Sequence, residues 1–297
     1  MLRLIIGINL VNYIKLIKMA IILLLISLIT IYCQIDYSQT NWPALCSSGK
    51  DQSPINLPNW KQASNDTFGL TITDIKYEQL SNLKFITDNS FFYLGNLISQ
   101  NYIIVKKGNI SYKYDLKSIL IKTPSEHLID GNYADLEIQL QHSKDTSYTN
   151  LAGVTNDPDK KRDSLYVSLM MSIKNNSTGS MFSGLKSVSD SLSVNFASYM
   201  DRNVTGYYSY EGSITQPNCD ESVNWIVYNK LFNVSNTEYK IVKDWISVIY
   251  RDGNNRVYNN LSGRTVYYVP SLEEKKSGGL SIKWNFNIML FVILIFL

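Results

Sequence analysis

Residues 165–173 read LYVSLMMSI, a nearly uninterrupted apolar run of strand length. Such a run suits a strand covered on both faces, so packing layers are needed on either side of it. Shorter segments repeat the theme. Residues 83–86 (LKFI) and 102–105 (YIIV) are rich in branched and aromatic residues, and the second stops at a Lys107-Gly108-Asn109 turn. Residues 225–227 and 245–250 read as further strands on the same grounds. Long periodic helices are absent from the pattern, and residues 190–199 suit one short helix. No internal repeat or low-complexity linker breaks the chain. The expectation is an α/β, mainly β, single domain built on one large sheet.

The two ends suggest an address. After Lys15 and Lys18, residues 19–32 (MAIILLLISLITIY) are apolar and uncharged. A bilayer span needs roughly 20 residues, whereas this length suits a signal-peptide core. Residues 1–33 are therefore read as a signal peptide cleaved near Cys33, with Met19 as an alternative start and a retained N-terminal anchor as the alternative fate. At the other end, Glu273-Glu274-Lys275-Lys276 precedes Ser277-Gly278-Gly279, a polar spacer and an apolar tail over 288–297. Small residues, spacer and tail describe a GPI-attachment signal, with Ser277 and Gly278 as candidate anchor sites; a simple tail anchor is the alternative. The expected division is signal 1–33, folded domain 34–270, and spacer with membrane tail 271–297. This places the protein in the secretory pathway and on the extracellular face of the plasma membrane.

Charge and cysteine usage agree with that address. The formal net charge is +3 with lysines spread along the chain, which makes no case for nucleic acid as a partner. Of the three cysteines, Cys46 and Cys219 can pair in an oxidising compartment, leaving Cys33 in or beside the signal. Seven Asn-x-Ser/Thr sequons, at Asn65, Asn109, Asn175, Asn176, Asn203, Asn233 and Asn260, are candidate glycan sites on a secreted surface.

Three blocks then narrow the fold. The first runs from Trp42-Pro43-Ala44-Leu45-Cys46 to Gly49-Lys50-Asp51-Gln52-Ser53-Pro54-Ile55-Asn56-Leu57. The second is Pro124-Ser125-Glu126-His127, Asp130-Gly131 and Leu136-Glu137-Ile138-Gln139-Leu140-Gln141-His142. The third is Tyr210-Glu211-Gly212-Ser213-Ile214-Thr215-Gln216-Pro217-Asn218-Cys219, ending in Val223-Asn224-Trp225. Together with a weaker match at Asn255-Arg256 and 263–267, they resemble the α-carbonic anhydrases in order and spacing. The resemblance implies a twisted, mostly antiparallel central sheet of about ten strands with a site at the base of a conical cavity. It also implies a Cys46–Cys219 disulfide, whose long loop would contribute about 4–5 kcal/mol in the chain-entropy picture.

The family's chemistry uses three neutral histidines on zinc and an open fourth position, where the pKa of bound water falls to about 7. Two of those histidines alternate on one strand, so that period-two geometry aims both at the metal. The resemblance places these ligand positions at Leu120, Lys122 and Gln139. Leucine cannot coordinate, a glutamine amide is a poor zinc ligand, and a lysine ammonium repels a dication. The only two histidines, His127 and His142, fall on positions outside the ligand set, as hydrogen-bonded structural groups. Ser90 falls where active members often carry a proton-relaying histidine. Glu126 and Thr215 match the pair that orients the zinc-bound hydroxide, and Glu137 matches the carboxylate that braces the third ligand.

The expectation is therefore no metal and no cofactor. The Lys122 ammonium is predicted to stand in for the cation by pairing with Glu137 or Glu126, a course down the cavity wall to solvent being the alternative. Leu120 and Phe91 are expected to fill part of the cavity. The function read from this is an acatalytic carbonic anhydrase-related surface protein that binds an extracellular ligand or acts as a scaffold. The alternative is a divergent zinc carbonate dehydratase with a rebuilt site. A hydrolase finds no Ser-His-Asp spacing in the chain.

Overall fold

Alternation along one strand sets the frame. In β9 (Leu136–Lys144), Leu136, Ile138 and Leu140 enter one apolar core, while Glu137 and Gln139 lie on the opposite face. Period-two geometry allows one segment to serve a hydrocarbon core and a polar site at once. The computed structural model describes residues 12–22, 37–64, 69–87, 92–95, 100–148, 157, 159–175, 180–250 and 252–275.

The strands in chain order are β1 (Asn56–Leu57), β2 (Thr71–Lys76), β3 (Leu80–Thr87), β4 (Phe92–Gly95), β5 (Tyr102–Lys107), β6 (Ile110–Lys122), β7 (Leu128–Ile129), β8 (Asn132–Tyr133) and β9. They continue with β10 (Ser164–Lys174), β11 (Leu192–Val194), β12 (Tyr207–Gly212), β13 (Val223–Ser235) and β14 (Tyr267–Val269). Eleven of them form one sheet in the order β11-β3-β4-β6-β9-β10-β13-β12-β14, with β2 and β5 branching from β6. The sheet is mixed: β10 and β13 run parallel, and its other pairings are antiparallel. A small second sheet joins β1, β7 and β8.

The apolar run at 165–173 is β10, at the centre of the sheet, and both of its faces are covered. Leu165, Val167, Leu169 and Met171 enter the larger core, whereas Tyr166 and Met170 enter a smaller one with Trp225, Val227, Tyr208 and Tyr210. Residues 83–86, 102–105 and 225–227 are strands as read from the sequence.

Two readings need correction. Residues 245–249 are helical and close a 14-residue helix, Asn236–Ile249. Tyr239, Val242, Ile246 and Ile249 all meet the large core, a helical spacing that a six-residue window of aromatic and branched residues conceals. The start signal lies upstream: Ser235 Oγ accepts from Glu238 N at 3.2 Å and the Glu238 carboxylate accepts from Ser235 N, a complete capping box. The short helix expected over 190–199 is instead β11 followed by a 3₁₀ turn, Phe196–Tyr199.

Cys46 and Cys219 are bonded, tying the short helix Leu45–Ser48 to the loop after β12 across 173 residues of sequence. Residues 12–22 are helical, and no helix among the described residues is long and apolar enough to cross a membrane. Cys33, Asn65, Ser90, Phe91, Asn176, Ser277 and Gly278 lie outside the described residues. Asn109, Asn175, Asn203 and Asn260 are exposed, whereas Asn233 is half-buried within β13.

Candidate functional site

The C-terminal end of β6 and the start of β9 run side by side, with Leu120 opposite Gln139 and Lys122 opposite Glu137. Ile119 and Ile121 enter the large core, so alternation sends Leu120 and Lys122 to the other face of the sheet. There Lys122, Glu126, His127, Glu137 and Gln139 are all wholly buried.

An ammonium has three N–H donors, and that of Lys122 meets three acceptors. They are Glu126 Oε1 at 2.9 Å, Tyr37 OH at 3.0 Å and the Asn254 carbonyl at 3.1 Å. The charge also sits 4.8 Å from the Tyr37 ring centre. Burial pulls the Lys122 pKa down, but the Glu126 charge and the Tyr37 contact outweigh it and the net shift is upward. The ammonium therefore stays charged, inward and satisfied. Tyr37 is held over it by edge contacts with Trp42 and Tyr250.

The carboxylates divide the remaining donors. Glu126 Oε1 also accepts from Arg256 N, and Oε2 accepts from Gln139 Nε2 at 2.8 Å. Glu137 Oε2 accepts from the backbone N–H groups of Glu126 and His127 at 2.7 and 2.8 Å. Its Oε1 meets His127 Nδ1 at 2.8 Å, Gln139 Nε2 at 3.0 Å and Ser168 Oγ at 2.8 Å. Burial raises the Glu137 pKa, but the His127 charge and these hydrogen bonds bring it down to about 2. His127 Nε2 lies 2.6 Å from the Tyr210 hydroxyl, which donates to Ser53 Oγ at 2.9 Å.

The Lys122 ammonium pairs with one of its two expected carboxylates, and other expectations change. Lys122 takes Glu126 and not Glu137, because both oxygens of Glu137 are engaged by His127, Gln139, Ser168 and the local backbone. Glu137 has a histidine partner of its own, His127, besides the Gln139 amide beside it. The Thr215–Glu126 pair does not form. Thr215 Oγ1 is buried with no hydrogen-bond partner among the described residues, and the Glu126 oxygens go to Lys122, Gln139 and the Arg256 backbone. His142 sits on the other side of the sheet, where Nδ1 donates to the Leu165 carbonyl at 3.0 Å and Nε2 meets the Tyr77 hydroxyl. The sequence reading missed the roles of Tyr37 and Asn254, which lie 85 and 132 residues from Lys122 in the chain. No local periodicity marks either of them.

Among the described residues no group of three or more His, Cys, Asp or Glu side chains is placed to hold a metal ion. The donor set at Leu120, Lys122 and Gln139 does not fit zinc. It offers a hydrocarbon, an ammonium already saturated by three acceptors, and an amide whose nitrogen faces two carboxylates.

The architecture defines a class of known proteins. The solved structure of dioscorin complexed with ascorbate superposes with TM-score 0.57 at 21% identity, covering 77% of this chain and 89% of that one. A halotolerant carbonic anhydrase from Dunaliella salina superposes with TM-score 0.56 at 19% identity, covering 79% and 97%. These likenesses establish the fold. Among sequences, dioscorin DB3L of Dioscorea polystachya is 24% identical over 230 residues, covering 76% of this chain and 78% of that protein. The family model for eukaryotic-type carbonic anhydrases matches residues 37–270. The chain belongs to that family.

Proposed function

We propose that this protein is an acatalytic carbonic anhydrase-related domain that binds or scaffolds at the cell surface. One observation carries the reading: at the positions that the family resemblance assigns to zinc ligands, a buried Lys122 ammonium is enclosed by Glu126, Tyr37 and Asn254. A fixed cation with all its donors used leaves no open coordination position from which a metal-bound hydroxide could act.

The proposed route to the surface is a signal peptide over 1–33, a domain over 34–270, and a lipid anchor or membrane tail over 271–297 attached near Ser277 or Gly278. Support comes from the Cys46–Cys219 disulfide, which suits an oxidising compartment, and from exposed sequons at Asn109, Asn175, Asn203 and Asn260. The partner is an extracellular ligand. A solved relative of this fold is a complex with ascorbate, which makes small organic molecules a reasonable first set to screen.

The test is zinc content of the purified domain by elemental analysis, with CO₂ hydration assayed on the same sample after zinc is added. Sub-stoichiometric zinc and a rate equal to buffer alone are expected. Stoichiometric zinc with hydration above buffer would establish the alternative, a divergent carbonate dehydratase with a rebuilt metal site.

A further inference from the structure

A cavity lies across the sheet from Lys122. Strand alternation places it there: Tyr208 and Tyr210 of β12 enter the smaller core on the Lys122 side, so Ser209 and Glu211 face the opposite way. On that face a half-open cavity of about 530 Å³ is lined by Leu70, Lys107, Ser209, Glu211, Arg264 and Tyr267. A cavity of this size is in the range of small-molecule sites.

Glycines keep it open. At Gly69 a Cβ would come within 2.7 Å of the Tyr267 Cβ, so only glycine lets this wall lie against the tyrosine. Gly108, at φ +58° in the β5–β6 turn, has nothing within 4 Å of the position a Cβ would take, which leaves that side of the mouth clear.

The polar groups narrow the ligand class. Glu211 accepts from Lys107 at 2.6 Å and from Arg162 at 2.7 Å, and its side chain is 47% exposed, with lone pairs to spare. Lys107 is also held by Asp159 at 2.8 Å, which leaves one N–H. Arg264 is fixed by four backbone carbonyls, those of Leu261, Glu211, Gln52 and Asn260. Ser209 Oγ accepts from Leu70 N, and its own hydrogen has no partner among the described hydrogen bonds.

An anion would meet the open Glu211 carboxylate, and a cation would meet Lys107 and Arg264. The lining sets Lys107 and Arg264 against Glu211, and the surplus positive charge is balanced from beneath by Asp159, 2.8 Å from Lys107, while donors and acceptors alternate beside the apolar surfaces of Leu70 and Tyr267. We propose that this pocket binds a neutral, hydroxyl-rich ligand, a carbohydrate of one or two rings, with its C–H face on Tyr267 and its hydroxyls shared among Glu211, Lys107 and Ser209. The inference does not depend on the zinc question, since Leu120, Lys122 and Gln139 are not among the residues that line this pocket.

The experiment is saturation-transfer NMR on the folded protein, freed of its own N-glycans, with methyl glycosides of glucose, mannose, galactose and N-acetylglucosamine as probes. At least one is expected to receive saturation. Thr265→Trp, which places a large ring at the exposed rim of the pocket without removing a buried contact, is expected to abolish the signal while thermal unfolding is unchanged. Glu211→Gln keeps the shape and removes the charge, and should weaken binding about tenfold or more. The proposal is overturned if no glycoside receives saturation, if Thr265→Trp leaves the signal intact, or if benzoate, an anion with an aromatic body, binds in place of every glycoside.

Discussion

Lys122 Nζ and Glu126 Oε1 lie 2.9 Å apart with both side chains at 0% exposure. Taking two charges out of water is costly, and the pair persists because each partner has further hydrogen bonds: Tyr37 and Asn254 on the lysine, Gln139 and Arg256 N on the glutamate. Removing one member leaves the other charged and unpaired. Lys122→Met is expected to destabilise the domain by about 3–5 kcal/mol in urea unfolding. Lys122→Met combined with Glu126→Gln should recover most of that loss. A double variant as unstable as the single one would show that packing, and not the charge, holds this region.

Acid should weaken the fold in two windows. The His142 pKa is lowered to about 4 from 6.5 by burial. Between those values the unfolded chain binds a proton that the folded chain refuses, so stability declines as pH falls from 6.5 toward 4. The Glu137 pKa is lowered to about 2 from 4.5, so its contribution is complete above pH 4.5 and is lost as pH falls toward 2. Each window corresponds to a stability change on the order of 3 kcal/mol. Urea midpoints measured from pH 7 to pH 2 test this, and His142→Phe should flatten the upper window while leaving the lower one.

The Cys46–Cys219 bond closes a loop with a sequence separation of 173 residues. Cross-linking so long a loop restricts the unfolded chain more than the folded one. The paired Cys46→Ser and Cys219→Ser variant is expected to lose about 2–5 kcal/mol. Guanidinium unfolding with and without reductant checks it: reductant should destabilise the parent chain and leave the variant unmoved.

Ser235 closes the capping box of the Asn236–Ile249 helix. Ser235→Ala removes the acceptor for the Glu238 N–H and should cost about 1 kcal/mol, whereas Ser235→Asp should retain most of the stability. Thermal unfolding of the two variants compares them directly.

Much of this molecule follows from local pattern. A strand's period of two is written in its side chains, so residues 165–173 announce a central strand, and Leu120 and Lys122 share a face without any knowledge of their neighbours. The three sequence blocks were enough to suggest the family, the Cys46–Cys219 bond and the polar residues of the buried site. The helix was less legible, since residues 245–250 suit a strand when read alone; the Ser235–Glu238 signal and the spacing from Tyr239 to Ile249 must be read together. Tertiary structure alone decided who partners whom. Lys122 takes Glu126 because His127 has already engaged Glu137, Thr215 is left without its expected partner, and Tyr37 closes over the ammonium from 85 residues away. The physical reason is that a buried charge selects its partners by distance and by which lone pairs remain free, and both are settled only when strands remote in sequence have docked.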